Sequence, residues 1–147
     1  MLMQPSQADV RRYFCATYAK WRDSQPMDAM ETLIAGWIDQ HPEYHADLAD
    51  VDAALAAMQK PDLAGQANPF LHLSMHLTIS EQCSIDQPRG IRQAVELLSK
   101  RLDGGLHDAH HAAMECLGQM LADSQRSGLP PDGATYVAAV QRRATRD

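Results

Sequence analysis

Residues 68–83, NPFLHLSMHLTISEQC, form the most hydrophobic run of the chain, and how they fold decides what the rest can pack against. From Leu71 to Ile79 apolar and polar residues alternate as in a half-buried strand, but the run continues without turn residues. A lone strand among helices could not satisfy its backbone hydrogen bonds. The stretch therefore predicts a helix from Pro69 to about Asp86, and its mostly apolar circumference predicts the most buried helix of the fold.

Helices are also predicted before this stretch. Ser6 and Asp9 resemble a capping box that starts a helix over residues 7–22, and amphipathic spacing predicts a second helix over residues 27–40. Pro42 ends that helix and can start a third, over residues 42–59. The segment 60–68, with its prolines and glycine, predicts a loop.

Three further helices are predicted after this stretch. Pro88 can begin one that ends at the glycine pair 104–105, and a long helix follows over residues 106–126. Asp132 can cap a last short helix. The fold class is therefore all-α, an irregular bundle of six or seven helices.

Composition and charge limit the kinds of partner. A chain of 147 residues with 45% hydrophobic and 22% charged residues fits a single helical domain over residues 1–147. The formal net charge of -6 argues against a protein that neutralises phosphates, so we expect no nucleic-acid partner. No apolar run reaches membrane-spanning or signal-peptide length, so we expect no membrane partner. A homo-oligomer is compatible with the sequence, which identifies no other partner.

The three cysteines, Cys15, Cys83 and Cys116, are widely separated and include no CxxC pair. An odd number of scattered cysteines is typical of free thiols in a reducing compartment. The sequence therefore predicts a cytoplasmic protein.

Six of the seven histidines occur in pairs four residues apart: His41 and His45, His72 and His76, and His107 and His111. Random placement would give only about 0.3 such pairs, and residues at this spacing share one helix face. His72 and His76 lie on the same arc of the helical wheel as Ile79, which makes them candidates for burial.

These histidines are the basis for predicting a metal site between two core helices. On the long helix, His107, His111 and Glu115 form a stripe at i, i+4 and i+8. Imidazole suits zinc, iron, copper and nickel, and an added carboxylate favours iron, manganese or zinc. Helical bundles build metal sites from ligands on facing helices. The candidate ligands are His72, His76, His107, His111, Glu115 and His45, and the candidate ions are iron, zinc and manganese.

Several neighbouring residues receive a weaker prediction. Because Pro42 follows His41, that histidine should lie just outside a helix, with His45 in the first turn of the next one. Both are therefore discounted as ligands, together with Glu43 and Tyr44. His110 is offset from the histidine stripe, so it should be structural or exposed.

Arg89 and Arg92 lie near a predicted helix N-terminus, where backbone N–H groups favour anions. A solvated first turn is the favoured interpretation of these arginines, and the binding of a carboxylate or phosphate is the alternative.

No reaction can be predicted from sequence motifs, because the chain has no GxSxG motif and no phosphate-binding glycine loop. Whether the protein is an enzyme stays open. Two hypotheses remain: a helical protein that binds a transition metal, and a non-catalytic interaction module whose histidines form a polar seam without metal.

Four blocks of the sequence, HPEYH, NPFLHLSMHLTISEQ, DQPRGIRQ and HHAAMECLGQML, resemble the proteobacterial family of uncharacterised proteins called domain of unknown function 1841. The resemblance implies a small bacterial helical protein without an established activity. It places the six paired histidines and Glu115 at positions of the family motif, whereas His110 stands where that motif has a glutamate.

Overall fold

The computed structural model describes residues 6–59 and 68–145, and every regular element in these ranges is a helix. The α-helices are α1 (Gln7–Arg22), α2 (Ala29–Asp39), α3 (His45–Leu48), α4 (Val51–Ala56), α5 (Pro69–Ile85), α6 (Ile91–Arg101), α7 (Gly105–Ser127) and α8 (Gly133–Thr145). Short 3-10 helices occupy Pro42–Tyr44 and Ala57–Gln59. The predicted all-α class is confirmed. None of the described helices is both long enough and apolar enough to cross a membrane.

The chain divides into two compact units, residues 1–77 and 78–147, and the boundary falls inside α5. Each unit is described by itself. The expectation of one domain over residues 1–147 stays a prediction.

In the first unit, α1 packs against α2, α3 and α4. The apolar core of this unit consists of Phe14, Cys15, Tyr18, Ile34, Trp37, Ile38, Leu48, Ala54, Phe70 and Leu73. The capping box of Ser6 and Asp9 is confirmed, and a second one, formed by Asp28 and Glu31, starts α2. Glu31 also accepts a hydrogen bond of 2.6 Å from the Lys20 ammonium group, which ties α2 to α1.

The prediction of one helix over residues 42–59 is wrong, because the backbone breaks near Asp50. There φ is −129° and ψ is 94°, which is extended backbone, and the Asp50 carboxylate accepts a hydrogen bond from the N–H of Ala53 to start α4. A residue that hydrogen-bonds its own following backbone favours a cap over a helix interior. The predicted loop over residues 60–68 lies outside the described residues except for Asn68.

The predicted helix at the hydrophobic stretch is confirmed as α5, but the expectation that it is the most buried helix is wrong. Four of its 17 residues are buried, whereas α2 buries five of its 11. Leu71 is 58% exposed and Ile85 is 67% exposed. The buried positions of α5 are Phe70, Leu73, His76 and Ile79, which form a single stripe at a spacing of three.

In the second unit, α6, α7 and α8 pack against one another. Their buried apolar residues include Val95 and Leu98 on α6, Met114 and Leu117 on α7, and Val137 and Val140 on α8. Tyr136 of α8 is only 1% exposed, and its hydroxyl donates a hydrogen bond of 2.7 Å to the side-chain oxygen of Gln82. The predicted cap at Asp132 is confirmed, and Gly128, in the left-handed conformation, ends α7.

The turn between α5 and α6 gives Arg92 a structural role. Its guanidinium donates hydrogen bonds of 2.6 Å to the carbonyl oxygens of both Cys83 and Ser84, which are among the acceptors that a helix end leaves unpaired. The Asp86 carboxylate accepts from the N–H groups of Gly90 and Arg92, so α6 begins at Ile91 and not at Pro88. Arg92 therefore caps the end of α5.

Candidate metal centre

His41 lies just beyond the end of α2, after the C-cap residue Gln40, and its backbone conformation is set by the proline that follows it. Proline disfavours the helical region for the residue before it, and His41 has φ −128° and ψ 62°. Its Nδ1 atom lies 2.7 Å from the carbonyl oxygen of Trp37. Because a carbonyl oxygen can only accept, Nδ1 carries the proton and donates it. In the neutral ring, Nε2 then holds the lone pair.

Two histidines of α5 meet this Nε2 atom. The Nε2 of His72 lies 3.1 Å from the Nε2 of His41, and the Nε2 of His76 lies 3.3 Å from it. Imidazole nitrogens bound to tetrahedral zinc at 2.0–2.1 Å are separated by roughly 3.3 Å. We call His41, His72 and His76 the histidine cluster; the Nε2 atom of His41 lies from each of the other two at a spacing that fits two ligands of one ion.

The histidine cluster is shielded from water and enclosed by aromatic rings. His41 is 2% exposed, His76 is fully buried and His72 is half-buried. The indole of Trp37 stacks on His76, with ring centroids 4.0 Å apart and an angle of 16° between the planes. Tyr44 lies parallel to His41 at 5.2 Å, and burial raises the pKa of its hydroxyl. These contacts restrict how far the imidazole rings can turn.

His45 contacts the backbone of α2 and the aromatic rings of α1. Its Nε2 lies 2.9 Å from the carbonyl oxygen of Ile38, so this nitrogen carries the proton and donates a hydrogen bond to the backbone. The ring packs against Tyr18 at 5.3 Å and against Trp21 at 5.2 Å. The role of His45 as a ligand stays a prediction, for which only Nδ1 is available.

In the second unit, α7 brings His107 and His111 together, as their spacing predicts. The ring centroids are 4.4 Å apart, each ring offers a nitrogen within 4.8 Å of the other, and both residues are half-buried. Glu115, one turn further on, accepts a hydrogen bond of 2.6 Å from Arg143 and has a side chain that is 67% exposed. We call His107 and His111 the α7 pair. Metal binding by the α7 pair and by Glu115 stays a prediction.

His110 is buried, with only 2% of its surface exposed. Burial is the largest cause, and the nearby His111 and His107 act in the same direction; together they lower the pKa of His110 from 6.5 to about 4. Its burial agrees with the structural alternative of the sequence prediction and contradicts the exposed one.

His41 is discounted as a ligand from the sequence alone, but in the structure it lies beside His72 and His76. Pro42 led to the expectation that His41 lies outside a helix, which is confirmed, but this same position lets the side chain fold back onto the Trp37 carbonyl. The signal that could have found it is the spacing of four from Trp37, which puts a ring nitrogen beside a carbonyl of the last helical turn.

The described parts define an all-α protein with a buried cluster of imidazole side chains. The family model for the domain of unknown function 1841 matches residues 6–142, so the chain belongs to that family and the resemblance seen in the sequence is confirmed. No curated protein and no solved structure matches the chain.

Proposed function

We propose that this protein binds a first-row transition-metal ion through the Nε2 atoms of His41, His72 and His76. The observation that carries the proposal is that the Nε2 atoms of His72 and His76 both approach the Nε2 atom of His41, at 3.1 and 3.3 Å. The Nδ1–H group of His41 bound to a backbone carbonyl is an arrangement that metal-ligating histidines commonly show.

A polar seam without metal explains the same contacts less well. The Nε2 atom of His41 has one lone pair, and two ring nitrogens approach it within hydrogen-bond distance. One lone pair on an imidazole nitrogen accepts one well-directed hydrogen bond. An ion among the three nitrogens would use the lone pairs of all three rings.

The donor chemistry favours zinc or iron(II) over manganese. Three neutral imidazoles suit zinc, copper, nickel and iron, whereas manganese prefers oxygen ligands. Glu115, the carboxylate that sequence reasoning added to the set, is engaged by Arg143. A bound ion of this kind supplies Lewis acidity toward water or oxygen.

We also propose the α7 pair as metal ligands. Support comes from the i, i+4 spacing of His107 and His111 and from the closeness of their ring nitrogens. A His107→Ala/His111→Ala double variant tests this part separately. The proposal for the pair fails if this variant binds the same amount of metal as the wild type with the same affinity.

The main experiment is metal analysis of protein purified without a histidine tag, followed by calorimetric titration with zinc and iron(II). His41→Asn keeps a donor near the position of Nδ1 but lacks Nε2, and should lose stoichiometric binding. His45→Gln is the matched control, at a histidine outside the proposed ligand set; it keeps a donor near the position of Nε2 for the Ile38 carbonyl and should bind like the wild type. Equal, substoichiometric metal in the wild type and His41→Asn would refute the metal site and favour the polar seam.

A cytoplasmic location is part of the proposal. It is supported by Cys15, Cys83 and Cys116, all of which are free thiols, since a reducing compartment keeps cysteines in this state. Fractionation of cells that produce the protein, followed by thiol labelling, tests it: recovery from an oxidising compartment would contradict the location.

A further inference from the structure

Trp37 contacts two of the three proposed ligands, each through a different part of the residue. Its carbonyl oxygen accepts the hydrogen bond from His41, and its indole stacks on His76. We propose that Trp37 is a positioning residue that sets the metal affinity of the histidine cluster. This inference rests on the proposed function.

The physical basis is preorganisation. Trp37 is 5% exposed and belongs to the apolar core with Phe14 and Ile34, so neighbouring side chains hold the indole in place. A planar ring 4.0 Å from the imidazole of His76 restricts rotation of that imidazole about its own axis. A ligand already fixed in its bound orientation loses less conformational freedom when the ion arrives, which raises affinity.

Substitution of Trp37 affects its stack on His76 but not its backbone contact to His41. Any residue at position 37 retains a carbonyl group, so replacing Trp37 removes the stack on His76 and leaves the His41 acceptor in place. Side-chain variants therefore isolate the contribution of the indole.

The test compares metal affinities of Trp37→Leu and Trp37→Phe. Changes in residues that orient metal ligands typically weaken binding 10- to 100-fold, and we expect a loss of this size for Trp37→Leu. Trp37→Phe keeps an aromatic ring against His76 and should stay within about threefold of the wild type. Affinity is measured by competition with a chelator on protein shown to be folded. Trp37→Met, with a flexible apolar side chain, replaces the leucine variant if that variant does not fold.

A double-mutant cycle separates positioning from a general packing effect. If Trp37 acts through His76, then Trp37→Leu weakens binding in the wild-type background and has little effect in a His76→Ala background. The visible absorption of bound cobalt(II) provides a second measurement, because it reports ligand geometry, and it should change in Trp37→Leu but not in Trp37→Phe.

Each result identifies which proposal fails. Wild-type affinity in Trp37→Leu, or an equal loss in both backgrounds, would overturn the positioning role while leaving the metal site intact. A wild-type protein that binds no zinc, iron(II) or cobalt(II) would instead overturn the proposed function, and the positioning role with it.

Discussion

The Nδ1–H group of His41 donates a hydrogen bond of 2.7 Å to the carbonyl oxygen of Trp37, four residues earlier in the chain. This contact gives a carbonyl group in the last turn of α2 a side-chain donor. It also fixes the tautomer of the neutral ring, so Nε2 presents its lone pair to His72 and His76. One hydrogen bond therefore completes a helix end and orients a proposed ligand.

The first prediction concerns this hydrogen bond in the absence of metal. His41→Ala leaves the buried carbonyl of Trp37 without its side-chain donor, which should lower the free energy of unfolding by about 1–3 kcal/mol. His41→Asn keeps a donor at this position and should be closer to the wild type. Urea denaturation with excess chelator measures both variants. Equal stability of His41→Ala and the wild type would show that the contact contributes nothing to folding.

The second prediction links stability to metal. An ion that binds only the folded protein raises the free energy of unfolding by about 2.7 kcal/mol when its free concentration is 100 times the dissociation constant. Denaturation at a series of buffered zinc concentrations should show this increase in the wild type and in His45→Gln. The same series on His41→Asn should be nearly flat. A wild-type profile that does not respond to zinc or iron(II) would contradict the metal site.

The helices could be predicted from sequence wherever capping residues and apolar spacing agree. Ser6 with Asp9 marked the start of α1, and Asp132 marked the start of α8. The break at Asp50 was missed because its cap is a single hydrogen bond to Ala53 inside an alanine-rich, amphipathic segment. Local propensity favours helix through that segment, and it carries no glycine or proline to mark the break.

The histidines of α5 could be predicted because i, i+4 spacing alone puts two side chains on one face. Their contact with His41 could not be predicted, because His41 is 31 residues from His72 in the sequence. The same limit applies to Glu115, whose partner Arg143 is 28 residues away. Spacing within one helix predicts which residues share a face, whereas contacts between distant segments depend on packing that no local pattern encodes.

The third prediction concerns a buried hydrogen bond in the second unit. Tyr136→Phe removes the hydroxyl that donates to Gln82 while leaving the ring to pack, and should destabilise the protein by about 1 kcal/mol. Tyr13→Phe is the matched control, since Tyr13 is 38% exposed and its loss of a hydroxyl should change stability little. Chemical denaturation of the three proteins measures the difference. Identical midpoints for Tyr136→Phe and Tyr13→Phe would show that the hydrogen bond has no net effect.

The fourth prediction concerns pH and rests on His110. Burial is the main cause that lowers its folded pKa from 6.5 to about 4, so the unfolded chain takes up a proton more readily than the folded one. Above pH 6.5 His110 is neutral in both the folded and the unfolded state, so it leaves the free energy of unfolding unchanged there. Stability falls as the pH drops from 6.5 toward 4, by about 3 kcal/mol over the whole window.

The measurement is urea denaturation of metal-free protein at a series of pH values between 7.5 and 4 for the wild type and for His110→Gln. Carboxylates that titrate near the lower end affect both proteins alike, so the difference between their pH profiles isolates His110. We expect His110→Gln to be the less stable protein at pH 7, because it disturbs a packed site, but to lose less stability on acidification. Parallel profiles for the two proteins would mean that His110 binds protons equally well in both states, and that its burial does not keep it neutral.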